Sequence, residues 1–362
     1  ENCSSLQILD MNFDTSNATI LYYMFSGCTN LTNINTSTFN TSKVTSFRYM
    51  FYNCSSLTSI DLSGFNTSSA TEMQDMFRGC SSLTTLNVSN FDTSNVVDFS
   101  YMFLGCSGLT ELNVSNFITT SAVTLNSMFG TCSSLTTLDL TSFETPLVIN
   151  ISWMFSSCTN LREIKIDNTK FVTQNVTNMS GMFHGCNALE YFDVSKFNTS
   201  KVTTFEYMFN SCNSIDWLDV SGFNTSSCTN MTAMFSFCHS LTELDVSGFD
   251  TSKVTSMVAM FRQCVLLEVI DVSNFITSNV TDMNMMFDSC TSVLKLDVSG
   301  FDTSNVTNMN YMLFGLANVT SLNVSNFDTS NVTDMHNMFG SNRGLTSLDL
   351  SSWNTSNAMN IG

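Results

Sequence analysis

The sequence is poor in proline, basic residues and histidine, and each scarcity excludes a class of structure or function. It has one Pro, 12 Lys and Arg against 30 Asp and Glu, and three His in 362 residues. The formal net charge of -18 argues against nucleic acid or an anionic membrane surface as the partner, because both would repel the chain. No segment approaches the roughly 20 continuous apolar residues of a membrane helix, so we expect no membrane insertion.

The start of the sequence lacks a basic segment followed by an apolar one, which is the pattern of a secretory signal peptide. The first residue is Glu1 rather than Met. We therefore expect a processed form or a segment excised from a longer chain.

Phenylalanine and methionine are abundant instead, with 31 and 23 residues, and they recur by position. The pair Met-Phe returns every 26 residues from Met24-Phe25 to Met154-Phe155, and again from Met182-Phe183. A two-residue insertion near 168–170 shifts the register once, and the first copy, between Cys3 and Phe13, is one residue short. Fixed periods of 20 to 50 residues are the signature of repeat architectures, so we predict about 14 copies of one unit.

With Met as position 1, the unit has the form M-F-x-G-C-x-x-L-T-x-L-D-V-S-x-F-D-T-S-x-V-T-x-M-x-x. Leu244 and Val246 alternate with Asp245 and Ser247, which is typical of a half-buried strand. Apolar residues three apart in the second half of the unit indicate a short α or 3₁₀ turn, and glycine at position 4 would end it. These patterns predict an α/β repeat solenoid of about 14 parallel strands with short helical turns on the opposite side, forming a single domain over 1–362.

The runs from Leu241 to Phe249 and from Asp302 to Thr307 make the unit resemble the BspA-like (bacterial surface antigen) leucine-rich repeats. The similarity is to the 26-residue variant common in mycoplasma-type surface lipoproteins, and it spans the whole chain. Departures are the insertion, Met312-Leu313 in place of Met-Phe, and the loss of the position-5 cysteine at Leu316 and Asn342. The resemblance implies an extracellular or cell-surface protein used for adhesion or for binding protein or glycan.

Cysteine occupies position 5 in twelve copies, and a thirteenth, Cys228, lies elsewhere. The absence of any C-x-x-C pair argues against a zinc site. Stacked neighbours would be close enough for disulfides, but their parallel Cβ vectors are poor disulfide geometry. We therefore expect free, buried thiols that fill space as small apolar groups, with disulfides as the alternative.

Two polar rows follow from the repeat. A threonine at position 18 recurs from Thr15 to Thr355, and its neighbours suggest turn and helix-start chemistry; an ice-binding row that orders water is a minor alternative. Position 12 forms an acidic row, and stacked like charges are unfavourable. Either solvent screens this row, or cations such as Ca²⁺ bridge it. The longest uninterrupted series of carboxylates in the row, and the candidate Ca²⁺ ligands, are Asp193, Asp219, Asp245, Asp271 and Asp297.

No catalytic constellation stands out above the repeat. The three histidines, His184, His239 and His336, occupy three different positions of the unit in separated copies and cannot converge. We predict that the protein is not an enzyme, and that it has no cofactor apart from the Ca²⁺ considered above.

A binding patch is expected where the repeat is broken. Position 10 becomes Tyr191 and Trp217 in adjacent copies, so both rings should project side by side from the sheet. Lys165 replaces the usual Asp one strand earlier, and Arg162 and Lys170 are nearby in sequence. Exposed aromatic residues beside charged residues are typical of recognition sites. Random substitution at exposed positions that tolerate many residue types would also produce them.

A second aromatic set precedes the repeated Met, and we interpret it as partial cover of the core. Its members are Tyr23, Tyr49, Tyr101, Trp153, Tyr207 and Tyr311.

Two functional hypotheses follow. In the first, the sheet face binds a host or matrix protein or a glycan, as the family resemblance implies. In the second, copies associate head to tail into a filament or stalk, because no polar capping repeat is evident at either end and solenoids normally need caps to stay soluble.

Overall fold

The computed structural model describes residues 2–9 and 13–362 and divides the chain into two compact units. Unit 1 comprises Glu1–Val176 and Gly185–Leu189, and unit 2 comprises Thr177–His184 and Glu190–Gly362. Within each unit, equivalent residues of successive 26-residue repeats lie side by side in parallel, as in the bridge from Glu72 to Asp98. Each unit is therefore a solenoid, and we call one repeat a coil. The prediction of a single domain over 1–362 stays a prediction, and residues 10–12 of the short first copy lie outside the described residues.

Regular strands are few in the described part of the chain. Strand β1 (Ile8–Leu9) pairs in parallel with β2 (Asn33–Ile34), and β3 (Thr137–Leu140) pairs in parallel with β4 (Glu163–Ile166). Strands β2 to β4 begin at position 10, where the sequence predicts a strand, and Thr137 lies in register with Glu163. The location and parallel direction of the strands are thus as predicted, but about 14 regular strands are not confirmed.

The described coils between β2 and β3 show why regular strands are few. The amides of Leu86 and Leu112 donate no hydrogen bond to a neighbouring coil, whereas those of β4 are in a ladder with β3. Most of the backbone hydrogen bonds between neighbouring coils lie on the opposite side of the solenoid, around the Met-Phe pair of each repeat.

On that side, which we call the turn side, alternate amides donate between coils. Phe77 N–H donates to Met102 O at 3.0 Å and Gly79 N–H to Leu104 O at 2.7 Å, both in the next coil. The intervening amides close β-turns within the coil, as Arg78 N–H does to Asp75 O at 3.2 Å. Each backbone N–H from Asp75 to Cys80 thus has an acceptor, which a buried peptide group requires.

The described residues contain no α-helix or 3₁₀-helix, so the predicted helical turn is not confirmed. Positions 26 and 4 both adopt left-handed backbone angles, as at Asp75 (φ 57°) and Gly79 (φ 75°), and a right-handed helix cannot pass through such residues. The predicted glycines at position 4 do have positive φ. Other residues take the same conformation where glycine is lacking, for example Asn53 and Tyr49.

In the core, equivalent residues of successive coils stack on one another. Phe77 stacks on Phe51 and on Phe103 with ring centroids 5.7 and 5.8 Å apart and nearly parallel planes. In unit 2, Phe235 packs in the same way on Phe209 at 5.9 Å. These rings are at most 1% exposed, which makes the position-2 phenylalanines a major source of buried apolar area.

The position-18 threonines from Thr15 to Thr329 lie inside the solenoid rather than on its surface, and Thr355 of the last coil is exposed. Thr251 is fully buried; its hydroxyl donates to Ile276 O at 2.9 Å and accepts from Ile276 N–H at 2.7 Å. The threonine therefore joins two coils and caps no helix. A buried row cannot present a flat surface to ordered water, so this row does not support the ice-binding alternative.

The cysteines form no disulfide among the described residues, and twelve of the thirteen are buried, as predicted. Cys3 is exposed. The ladder thiols bond to the preceding coil, as Cys80 Sγ does to Phe51 O at 3.1 Å. Where the cysteine is lost, Asn342 Nδ2 donates to the equivalent carbonyl, Leu313 O, at 2.9 Å. Leu316, which has no side-chain donor, is buried at the same position of another coil, so the position requires neither sulfur nor a donor.

Replacing Thr251 by Val should lower the free energy of unfolding by about 2 kcal/mol, because the N–H and C=O of Ile276 would both lose their hydrogen-bond partner in a partly buried place. Thr251→Ser keeps the hydroxyl and loses one methyl, which should cost about 1 kcal/mol. Urea unfolding of both variants measures the difference. Equal losses would mean that the hydroxyl does not join the coils.

Native protein at pH 8 should react rapidly with dithionitrobenzoate at one thiol, that of Cys3. Burial raises the pKa of the Cys54 thiol to about 12 and that of Cys80 well above its usual range, so the thiolate nucleophile is scarce as well as inaccessible. Denatured protein should release all thirteen equivalents. Rapid release of several equivalents from the folded chain would contradict the buried ladder.

Candidate functional site

The structure places Tyr191 and Trp217 side by side in unit 2. Their ring centroids are 6.2 Å apart with planes 7° from parallel, and the residues are 54% and 46% exposed. Both occupy position 10, whose side chains leave the sheet on its outer face. Because successive coils are in register, two aromatic residues at this position stack without changing the backbone.

The same position continues as a row along unit 2, which we call the outer row: Tyr191, Trp217, Glu243, Val269 and Lys295. Trp217 forms a parallel bridge with Glu243, and Val269 forms one with Lys295. These bridges fix neighbouring side chains at the spacing of adjacent strands, about 4.8 Å.

The outer row includes the exposed apolar residue Val269, and Leu266 lies beside the row in the same coil. Val269 is 65% exposed and Leu266 is 47% exposed, and both line a shallow groove of about 590 Å³ that also includes Glu243 and Glu268. Exposed apolar groups next to an aromatic pair are characteristic of surfaces that bind other molecules. Carboxylates border this groove, so its electrostatic potential is negative.

The basic residues of the predicted patch belong to unit 1. Lys165 lies in β4, and its Nζ is 3.5 Å from Glu163 Oε2 with both side chains about half exposed; such a surface ion pair contributes little to stability. Arg162 is exposed, and its backbone N–H donates to Thr136 O at 2.8 Å. Lys170 is exposed in the inserted segment, where its N–H closes a turn on Asp167 O.

The position-12 aspartates are held in short local turns. Asp245 Oδ1 accepts hydrogen bonds from Ser247 Oγ at 2.7 Å and from Ser247 N–H at 2.9 Å, and these bonds lower the pKa of Asp245. The same serine contacts lower the pKa of Asp193, Asp271 and Asp297, and Asp219 makes the equivalent bonds to Ser221. Turn chemistry thus accounts for the acidic row.

Within residues 2–9 and 13–362, no three His, Cys, Asp or Glu side chains come together as a metal-binding group. Bridging of the acidic row by Ca²⁺ stays a hypothesis. The same part of the chain contains no helix long and apolar enough to cross a membrane.

The second aromatic set is partly buried on the turn side, and in one part of it the aromatic rings lie closer together than the repeat requires. In unit 1, Tyr23 stacks on Tyr49 at 4.6 Å, and Arg48 lies 5.6 Å from the Tyr49 ring centre. Position 25, where Arg48 lies, varies between copies, so the repeat pattern gives no reason to expect a cation among these rings.

Comparisons with known proteins agree with the repeat assignment. A family described as "Mycoplasma protein of unknown function, DUF285" matches residues 1–109, 79–190, 150–265, 210–320 and 291–362, which together span the chain. A leucine-rich repeat protein from Bacteroides ovatus has a similar structure, with a TM-score of 0.52, 17% identity, and coverage of 89% of this chain and 79% of that one. A leucine rich cell surface protein from Faecalibacterium prausnitzii also matches, with a TM-score of 0.41, 17% identity, and coverage of 92% and 80%.

No curated protein sequence matches the chain. The solved structure from Bacteroides ovatus shows the leucine-rich-repeat solenoid fold, and the family match shows the mycoplasma variant. The predicted resemblance to BspA-like repeats is thereby confirmed.

Proposed function

We propose that this chain, which belongs to the DUF285 family of Mycoplasma proteins, is a non-enzymatic surface module that binds a partner protein through the outer row of unit 2. The observation that carries the proposal is the exposed, stacked pair of Tyr191 and Trp217. Tyrosine and tryptophan are enriched among residues that dominate binding energy at protein interfaces. An extracellular or cell-surface location accords with the repeat family that the chain resembles.

Charge and apolar exposure favour a protein partner with a basic surface. The net charge is -18, and Glu243 and Glu268 line the groove next to Trp217. Complementary charge would speed encounter and select the partner, while Leu266, Val269 and the aromatic pair would supply apolar contact.

The absence of catalysis is part of the proposal. A catalytic carboxylate pair needs two environments that move the two pKa values apart. Asp245, Asp271 and Asp297 instead share one environment, since the same serine hydrogen bonds lower the pKa of each. None of them is distinguished as an acid or a base.

The double substitution Tyr191→Ala and Trp217→Ala should weaken binding at least tenfold to whichever protein is retained from a panel of purified extracellular-matrix proteins. The reason is that both aromatic anchors of the interface are removed. Surface plasmon resonance measures the affinities, with and without Ca²⁺ so that a role of the acidic row is tested too. Ile276→Ala is the matched control, because Ile276 is 50% exposed in the same unit but lies outside the outer row.

Unchanged affinity of the double variant would contradict the proposed site. Light scattering of the same samples tests the filament alternative. A molecular mass that grows with concentration in the unmodified protein, without binding to any matrix protein, would favour head-to-tail association over the proposed function.

A further inference from the structure

The turn side of unit 1 carries a concentration of tyrosine that the repeat does not require. Five of the eight tyrosines in the chain lie there, within four neighbouring coils: Tyr22, Tyr23, Tyr49, Tyr52 and Tyr101. Tyr22 is 43% exposed, and Tyr23 and Tyr49 stack at 4.6 Å. We call this surface the tyrosine face. It is separate from the outer row, which lies in unit 2.

Two arginines are held among these rings. The Arg48 guanidinium lies 5.5 Å from the centre of Tyr22 and 5.6 Å from that of Tyr49. Arg78 lies 5.2 Å from Tyr101 and forms an ion pair with Asp75 at 3.0 Å. Arg48 has no ion pair among the described residues. The contacts between rings and cations hold the side chains in place before any ligand arrives.

A groove of about 430 Å³ crosses the tyrosine face, and Tyr49 and Tyr101 form part of its lining. These two residues share position 26 and are two coils apart, which corresponds to roughly 10 Å at the spacing of parallel strands. Gln74 and Asp98 come from the coils between or beside them. Between Tyr49 and Tyr101 the groove therefore has an aromatic group on either side of polar groups, and beyond Tyr101 its lining continues to Ile149 and Asn150.

Two polar atoms in the lining have no partner. Arg48 Nε, a donor, and Gln74 Oε1, an acceptor, are buried and make no hydrogen bond. The Gln74 amide cannot be reversed to remove the problem, because its Nε2 donates to Asp98 Oδ2 at 2.7 Å and a carboxylate only accepts. Unpaired buried groups are rare in native proteins and require an explanation.

An unpaired donor and an unpaired acceptor at the same position of adjacent coils match one functional group, a hydroxyl. A hydroxyl can accept from Arg48 Nε and donate to Gln74 Oε1 at the same time. Molecules that combine several hydroxyl groups with apolar C–H faces suited to tyrosine rings are saccharides. Asp75 is paired with Arg78, and the remaining charges of the groove, Arg48 and Asp98, are of opposite sign, so the balance of charge favours a neutral sugar.

We propose that the tyrosine face of unit 1 binds a neutral saccharide between Tyr49 and Tyr101, with Arg48 and Gln74 hydrogen-bonding to one of its hydroxyl groups. This site is independent of the protein-binding site proposed on unit 2. The chain would then have two recognition surfaces, one for protein and one for carbohydrate.

The test uses the whole chain on a printed array of neutral, N-acetylated, sialylated and sulfated oligosaccharides, followed by titration calorimetry with the neutral oligosaccharide that is retained. Gln74→Met removes the acceptor and preserves the length of the side chain. Tyr101→Ala removes one aromatic group. Each should weaken binding roughly tenfold or more, since an unmet hydrogen bond or a lost stacking contact costs about 1.4 kcal/mol or more.

Three controls make the result specific. Tyr101→Phe keeps the ring and should bind within about threefold of the unmodified chain, as expected for loss of less than 1 kcal/mol. The double variant of Tyr191 and Trp217 should bind the sugar normally, which separates this site from the outer row. Circular dichroism and the count of reactive thiols establish that each variant is folded.

The proposal is overturned if the array retains no neutral sugar or only acidic ones. It is also overturned if folded Gln74→Met and Tyr101→Ala bind as the unmodified chain does. Loss of sugar binding in the Tyr191 and Trp217 double variant would assign the sugar to the outer row instead and contradict the tyrosine face as its site.

Discussion

The hydrogen bonds between coils on the turn side are the constraint on which the rest of each unit depends. Amides such as Phe77 and Gly79 donate to the next coil while their neighbours close turns within the same coil. This alternation requires a left-handed residue at positions 26 and 4 and a fixed number of residues between them. The length of the segment from position 26 to position 4 is therefore constant, and the copies of unusual length differ elsewhere: the first copy is short between Cys3 and Phe13, and the insertion at 168–170 is taken up in a separate turn.

Because the register between coils is fixed, each repeat position lies next to the same position of the neighbouring coil, and residues of the same type are stacked. For apolar residues this is favourable, and the phenylalanine stack and the buried thiols follow from it. For charged residues it is unfavourable, and the position-12 aspartates instead accept hydrogen bonds from a serine or threonine within their own coil, as Asp245 does from Ser247 and Asp139 from Thr141. A local surface therefore differs chemically from the rest of the solenoid only where variable positions of the repeat carry unusual residues. The aromatic pair of the outer row and the tyrosine face both arise in this way.

Much of this could be predicted from the sequence. The period, the core positions, the buried cysteines and the stacked arrangement of Tyr191 and Trp217 follow from the repeat alone, because register converts sequence spacing into spatial neighbours. The turn side could not be predicted, because apolar residues three apart suit a helical turn and a series of β-turns equally. Only some copies have glycine at position 4, and Tyr49 and Asp75 give no sequence signal of their positive φ. The groove at Arg48 and Gln74 was missed because it depends on side-chain conformations across coils.

Amide hydrogen exchange measured residue by residue by NMR tests the central claim most directly. The account predicts strong protection of the Phe77 and Gly79 amides, which donate between coils on the turn side, and much faster exchange of the Leu86 and Leu112 amides, although both side chains are more than nine-tenths buried. Equal protection of all four would mean that a continuous strand ladder holds the coils together, and the turn side would then not be the constraint from which the structure follows.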